Sequence, residues 1–311
     1  MMERVKIILN PYSGRGAGAR IRPRLCHWLA QAGIDFDLAE TSGVGHGIEL
    51  ARQAHLDGYT TVVAAGGDGT VSEVMNGLAR ATPEGASVGK LAVIPLGTGN
   101  DFAAMVGCVS DIELAVRAIT LGKTRRIDLG QAVIHSAGEA VQRYFDNNLG
   151  VGFEAWVTLE SYKVKRLSGV LLYLVAALRA LNSYRPPHMD MLWTTPAGES
   201  RRRTQPTLLV SVGNSRRTGG GFYLTPDAKL DDGLLDIGIA NAIPPLQVLW
   251  LLPKALFGKH TTDKAITMSR CHQLQIDCPT GMPVHLDGEV IMAKANRVEV
   301  NIQPGRLEVI V

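Results

Sequence analysis

Apolar residues follow two different rhythms along this chain. Over roughly the first 130 residues, short apolar runs such as Val5, Ile7, Ile8 and Leu9 alternate with stretches whose apolar positions recur every three or four residues. The first kind suits strands buried on both faces, and the second suits amphipathic helices. The pattern predicts strands at 5–9, 34–38, 60–65 and 91–94. Between them it predicts a helix with Ile21, Leu25, Trp28 and Leu29 on one face, a second over about 47–56, and a third ending near Arg80. Strands alternating with helices imply a parallel, doubly wound sheet that binds ligands at the carboxyl ends of its strands.

Beyond Leu129-Gly130 the rhythm changes. Short strand-like segments at 125–134, 141–149, 189–194, 207–212, 235–240, 273–277 and 298–302 are separated by turn residues. Such a density of strands predicts an antiparallel sheet or sandwich. One helical pattern, about 154–181, interrupts it, and Arg201, Arg202 and Arg203 read as a hairpin loop. The expected domains are therefore 1–129 and 130–304.

Three glycine-rich turns fall at predicted strand ends. They are Asn10-Pro11-Tyr12-Ser13-Gly14-Arg15-Gly16, Gly66-Gly67-Asp68-Gly69-Thr70-Val71-Ser72, and Pro95-Leu96-Gly97-Thr98-Gly99-Asn100-Asp101. Glycine lets the backbone approach a ligand closely, so that N–H groups can converge on phosphate oxygens. A helix N-terminus following the turn adds partial positive charge. None is a Walker A loop, since the nearest stretch, 85–91, lacks a Ser or Thr after Lys90. One such turn would be explained by tight βα packing alone; three on one sheet edge predict a nucleotide-phosphate site.

Composition adds exclusions. The chain has 311 residues, 46% hydrophobic and 20% charged, with a formal charge of +3. That is an ordinary globular composition with too little positive charge to point to nucleic acid. Cys26, Cys108, Cys271 and Cys278 show no CxxC spacing and read as free thiols in a reducing compartment. The N-terminus runs straight into a strand without a signal-like leader, and the longest apolar run, 170–178, falls short of the ~20 residues of a spanning helix. A soluble, cytoplasmic protein is expected.

Taken together, the three turns resemble the catalytic domain of diacylglycerol kinases and their relatives, the sphingosine and ceramide kinases and the bacterial soluble lipid kinases. The resemblance continues through Ile127-Asp128-Leu129-Gly130, 150–155, 231–236 and Leu286-Asp287-Gly288-Glu289, so it spans almost the whole chain. It implies an NAD kinase/diacylglycerol kinase-like α/β fold. In that fold a Rossmann-like N-terminal domain precedes an antiparallel, β-rich, sandwich-like C-terminal domain, with a last strand, about 305–311, returning to the first. It also implies an ATP-dependent lipid kinase that phosphorylates a lipid hydroxyl, diacylglycerol to phosphatidic acid being the leading reaction.

Roles follow from the same resemblance. Asn10, Thr41, Gly66, Gly67, Asp68, Gly69, Thr70, Val71, Ser72 and Thr98 would line the ATP site. Glu289 would be the catalytic base, with Asp68 its rival. Mg²⁺ would neutralise the phosphates, oriented by Asp68, Asp101 or Asp128. A second Mg²⁺ would sit on the Asp232 carboxylate and the carbonyls of Lys229 and Leu234, against the alternative of a plain β-turn. The lipid would be met at a membrane surface through peripheral contact, and a homodimer is possible. Lys163, Lys165, Arg166, Arg179 and Arg185, set among Leu167, Leu171 and Leu178, offer one such surface, and Trp250, Leu251, Leu252, Leu256 and Phe257 a lipid-lining stripe or ordinary core. An NAD kinase, which shares Gly-Gly-Asp-Gly-Thr, and a non-catalytic nucleotide or lipid sensor are the alternatives.

Overall fold

The computed structural model describes residues 4–108, 111–164, 167, 169–218 and 221–311. The chain divides into two compact units, Met1–Ile127 with Gly305–Val311, and Asp128–Pro304.

In the first unit the order is β1 (Val5–Leu9), α1 (Ser13–Gln31), β2 (Phe36–Glu40), α2 (His46–Leu56), β3 (Thr61–Gly66), α3 (Asp68–Ala81), β4 (Lys90–Pro95), α4 (Asp101–Val106) and α5 (Ile112–Leu121). The strands are parallel in the order β4-β3-β1-β2. Successive side chains along β1 point to opposite faces. Ile7 and Leu9 join Leu25 and Leu29 of α1 and Val116 and Ile119 of α5 in one core. Ile8 is buried toward the other face, where α2 packs on β1 and α3 on β3. Burial on both faces is why these strands read as continuous apolar runs. β2, at the edge, keeps an alternating, half-exposed pattern.

The chain enters the second unit along β5 (Thr124–Ser136). There follow β6 (Glu139–Phe145), β7 (Asn148–Gly152), α6 (Phe153–Ser161), α7 (Gly169–Ser183), β8 (His188–Thr194), β9 (Ser200–Gly213), β10 (Leu235–Asn241), α8 (Pro245–Ala255), β11 (Ile266–Cys271), β12 (Gln273–Leu286) and β13 (Glu289–Ile310). Antiparallel pairing runs in the order β11-β10-β9-β7-β12-β13, with β8 beside β9 and β12 and β5 beside β6. The end of β13 belongs to the first unit, where Glu308 and Val309 pair in parallel with Lys90 and Leu91.

Three expectations change. The helical pattern at 154–181 is two helices, because α6 ends where the N–H groups of Lys163 and Val164 turn back to the carbonyls of Glu160 and Ser161. The strand expected at 141–149 is broken after Phe145 and resumes at Asn148. Arg201, Arg202 and Arg203 lie within β9 rather than in a hairpin loop. Arg202 reaches Asp190 on the neighbouring strand at 3.0 Å, and Arg203 donates to Thr267 at 2.6 Å. Cross-strand partners make long basic side chains compatible with a half-exposed strand.

The alternation of β9 and β10 also makes a cavity. Val210, Val212, Ile237 and Ile239 fill the main core on one face of the sheet. On the other face stand Leu209, Ser211, Gly238 and Ala240, and α6, α7 and α8 close over them. Small residues at Ser211, Gly238 and Ala240 leave a space that larger side chains would fill.

Candidate functional site

β1, β3 and β4 run in register, Leu9 beside Ala65 and Gly66 beside Pro95, so all three glycine-rich turns leave the sheet at one edge. Their contacts require glycine. A Cβ on Gly97 would lie 2.5 Å from the Gly67 Cα, and one on Gly14 would lie 2.4 Å from the Leu96 carbonyl oxygen. Side chains then lace the turns together. Asn10 Nδ2 donates to Thr70 Oγ1 at 3.0 Å, while Asn10 Oδ1 accepts the Tyr12 N–H at 3.0 Å.

Two lacing residues carried no role in the sequence reading. Asn100 adopts a left-handed backbone, and its amide both accepts from the Gly97 N–H and donates to the Gly97 carbonyl, each at 3.0 Å. Asn is among the residues that tolerate this conformation best, which was the available signal. Glu73, on α3, accepts the N–H groups of Gly45 and Gly47 at 2.7 and 2.8 Å and holds the segment after β2 against α3. Nothing in the spacing of Glu73 announced that.

Asp68 Oδ1 accepts the Phe102 N–H at 3.1 Å, so this carboxylate caps α4 as well as opening α3. Burial pushes the Asp68 pKa up against the pull of that N–H, and the charge of Asp101 adds to the rise. Thr41 is buried one residue past β2, its N–H on the Leu9 carbonyl at 2.9 Å. Thr98 is exposed on the third turn. Asn10, Thr41, Gly66, Gly67, Asp68, Gly69, Thr70, Val71, Ser72 and Thr98 thus gather at the carboxyl edge of one sheet. The first turn of α3 presents N–H groups and the positive end of a 14-residue helix there, a setting suited to anionic oxygens.

In the second unit Glu289 follows a two-residue hairpin turn. Asp287 and Gly288 both have positive φ, 47° and 81°, and Leu286 pairs with Glu289 across the turn. This is the type I′ geometry that Asp-Gly favours. The Asp287 side chain points inward and accepts three N–H groups, from Asp146, Asn147 and Asn148, at 3.2, 3.1 and 3.0 Å. Desolvation in its half-buried position pushes its pKa up to about 6 despite those donors. Asp287 therefore fixes where β13, and with it Glu289, begins.

Asp128, expected to orient a metal, lies in the second unit and holds the 231–233 turn. Its Oδ2 accepts the Gly233 N–H at 2.7 Å, and its N–H donates to the Leu230 carbonyl at 2.6 Å. Asp232 Oδ1 accepts the Leu234 N–H at 3.2 Å. Among the described residues no group of three or more His, Cys, Asp or Glu side chains is arranged to hold a metal. The turn nonetheless fits a hard cation in one respect. Asp236 Oδ2 is buried with no hydrogen-bond partner among the described residues, and burial followed by the charge of Asp232 pushes its pKa up to about 6.

The cavity of the second unit has a volume of about 130 Å³ and is lined chiefly by apolar groups, among them Phe153, Val248, Leu251 and Ile266. A single water needs about 10–15 Å³ on this measure, so the space suits part of an alkyl chain. Its polar lining includes Thr158, Ser211, Thr218 and His260 together with Glu154 and His285, two residues whose spacing in the sequence signals no role. His285 Nε2 lies 3.3 Å from Glu154 Oε1, and Asn148 Nδ2 donates to the same oxygen at 2.7 Å. Among the described residues, Glu154 Oε2 and both ring nitrogens of His285 are buried without a hydrogen-bond partner. Gly150 makes the room, since a Cβ there would meet His285 Nε2 at 2.2 Å.

Of the expected basic surface, Lys165 and Arg166 lie outside the described residues. Lys163 pairs with Glu160 at 2.6 Å, while Leu171 and Leu178 are exposed on α7. Leu251 and Leu252 line the cavity, and Trp250 and Phe257 face solvent instead of core.

Residues 4–132 match the diacylglycerol kinase catalytic domain, and residues 147–311 match the YegS C-terminal NAD kinase beta sandwich-like domain. The chain is 31% identical over 290 residues to a Bacillus subtilis protein named diacylglycerol kinase, covering 93% of this chain and 90% of that one. It is 30% identical over 315 residues to the Pseudomonas aeruginosa "Probable lipid kinase YegS-like", covering 99% and 95%. A crystal structure of a diacylglycerol kinase from Bacillus anthracis shares the fold, with a TM-score of 0.72 at 22% identity over 99% of this chain and 96% of the other. Yeast NADH kinase shares it more loosely, with a TM-score of 0.51 at 11% identity over 100% and 84%.

Proposed function

Because this chain belongs to the diacylglycerol kinase catalytic-domain family, we propose that it transfers the γ-phosphate of ATP to a hydroxyl of a membrane lipid, with diacylglycerol as the leading acceptor. The observation that carries the lipid reading is the apolar cavity of the second unit. An NAD kinase must hold a charged dinucleotide, for which a cavity walled by Phe153, Val248, Leu251 and Ile266 has no use. A diacylglycerol bearing a photoactivatable group on one acyl chain tests this directly. Labelling of residues on α6, α8 or β10 is expected; labelling scattered over the surface would remove the cavity from the account.

In this reading the nucleotide lies on the three turns of the first unit. Asn10, Thr41, Gly66 through Ser72, and Thr98 hold it, with backbone N–H groups and the α3 N-terminus on its phosphates. The lipid oxygen attacks the γ-phosphorus, the bond to the β-phosphate oxygen breaks, ADP departs, and the hydroxyl proton passes to Glu289. Asp68 is the alternative base. Its hydrogen bond to Phe102 gives it a second task, holding the second and third turns together. Mg²⁺, when bound with the nucleotide, would offset phosphate charge, and Asp68 and Asp101 are the carboxylates placed at that edge.

The second metal would draw on the Asp232 carboxylate and the Lys229 and Leu234 carbonyls, a set of oxygen donors suited to Mg²⁺. The buried, unpartnered Asp236 oxygen beside it supports a cation there. Mg²⁺ is then expected to raise the melting temperature of the wild-type protein and to leave Asp232→Ala unmoved. Identical melting of both proteins with and without Mg²⁺ would return the turn to a purely structural role.

Glu154 and His285 set the polar end of the lipid site. The ester carbonyls of a diacylglycerol accept hydrogen bonds, and a ring N–H of His285, whose Nε2 lies 3.3 Å from Glu154 Oε1, is a donor this wall offers them. Glu154→Gln, which alters the contact that orients the His285 ring, is expected to raise KM for the lipid about tenfold, the size of one lost hydrogen bond, with KM for ATP unchanged. Equal effects on both substrates would assign Glu154 to folding.

A further inference from the structure

α8 is apolar on both sides, and the described residues cover only one of them. Val248, Leu251, Leu252 and Ala255 face the cavity. The opposite stripe is Leu246, Leu249, Trp250 and Pro253, continued by Phe257 just past the helix end. Leu246 is 80% exposed, Trp250 66% and Phe257 74%. The spacing of three, four and seven residues makes this a single face. A helix that is hydrophobic all round is ordinarily buried, and single exposed apolar residues are ordinary, but a contiguous stripe marks an interaction site.

We propose that this stripe is the surface by which the protein docks on a lipid bilayer, with α8 lying in the interface between headgroups and acyl chains. Two features select a bilayer over a protein partner. First, the same helix walls the apolar cavity with its inner face, so a bilayer docked on the outer stripe lies one helix away from the space suited to an acyl chain. Second, the rim carries the residues that suit the headgroup level. Trp250 is amphipathic, the Lys254 ammonium lies 5.1 Å from its ring centre, and Lys259 and Lys264 are exposed nearby. Lys254 pairs with Asp263 at 3.6 Å, and anionic headgroups match the exposed ammoniums of Lys259 and Lys264. The link to the cavity rests on the lipid-kinase reading, whereas the docking itself does not.

The test is sedimentation of the full-length protein with vesicles of equimolar phosphatidylcholine and phosphatidylglycerol. The double variant Trp250→Ala, Phe257→Ala alters only exposed side chains. It is expected to bind these vesicles at least tenfold more weakly than the wild type. Lys259→Glu with Lys264→Glu should weaken binding to the anionic vesicles and leave binding to pure phosphatidylcholine nearly unchanged. Activity toward a short-chain diacylglycerol supplied as monomers should be the same in every variant. Undiminished vesicle binding by the first double variant overturns the proposal. So does a change from dimer to monomer in that variant with vesicle binding intact, which would make the stripe a contact between two copies. Absence of any phosphorylation by the wild type would instead count against the kinase reading, and the sedimentation result would still judge the surface by itself.

Discussion

Glu289→Gln is expected to lower turnover by roughly 100-fold or more while leaving ATP affinity within about twofold of the wild type. The change keeps size and hydrogen-bonding capacity and removes the site that takes the proton. Glu289 is the first residue of β13, held by the Asp287-Gly288 turn, so the amide should occupy the same position as the carboxylate. A steady-state comparison of kcat with an independent measurement of ATP binding checks both halves. Turnover that survives the substitution would transfer the base to Asp68. A parallel loss of ATP affinity would mean that Glu289 supports binding instead of proton transfer.

Asp287→Ala is expected to be the most destabilising single change in the second unit. Three backbone N–H groups of 146–148 would lose their acceptor in a buried setting. Each unsatisfied donor costs about 1–3 kcal/mol, so a loss of roughly 3 kcal/mol or more follows. Alanine also tolerates the left-handed backbone of residue 287 poorly, where Asp is comparatively common. A shift of about 2–4 °C per kcal/mol predicts that the melting temperature falls by roughly 6–12 °C. Asp287→Asn keeps one acceptor oxygen and the turn preference and should be clearly milder. Differential scanning calorimetry reads both, and an alanine variant that melts with the wild type would show that water replaces the carboxylate without cost.

The parts of this molecule that were legible in the sequence are those fixed by local rules. The βα alternation of the first 100 residues is written in period, because strands buried on both faces read as unbroken apolar runs. Glycine-rich turns at strand ends were readable as a group, because the parallel register brings the carboxyl ends of β1, β3 and β4 to one edge. What was not legible depends on contacts distant in sequence. Asp287 meets partners about 140 residues away, and Glu73 meets Gly45 across 28 residues that include α2 and β3. Glu154 and His285 lie 131 positions apart and meet only because Gly150 leaves room between strands. The cavity comes from small residues on one face of β9 and β10, and their composition resembles that of any core strand. The arginines at 201–203 show the opposite failure. Their polarity suggested a loop, but cross-strand partners at Asp190 and Thr267 hold them in β9.

Transfer of labelled γ-phosphate from ATP, with Mg²⁺ present, tests the central claim most directly. The purified protein would receive mixed micelles of diacylglycerol, phosphatidylglycerol, sphingosine and ceramide, with NAD in a parallel reaction. The account predicts label in an organic-extractable product, strongest with diacylglycerol and abolished to near background by Glu289→Gln. Label appearing in NADP, or in no product at all, would contradict it.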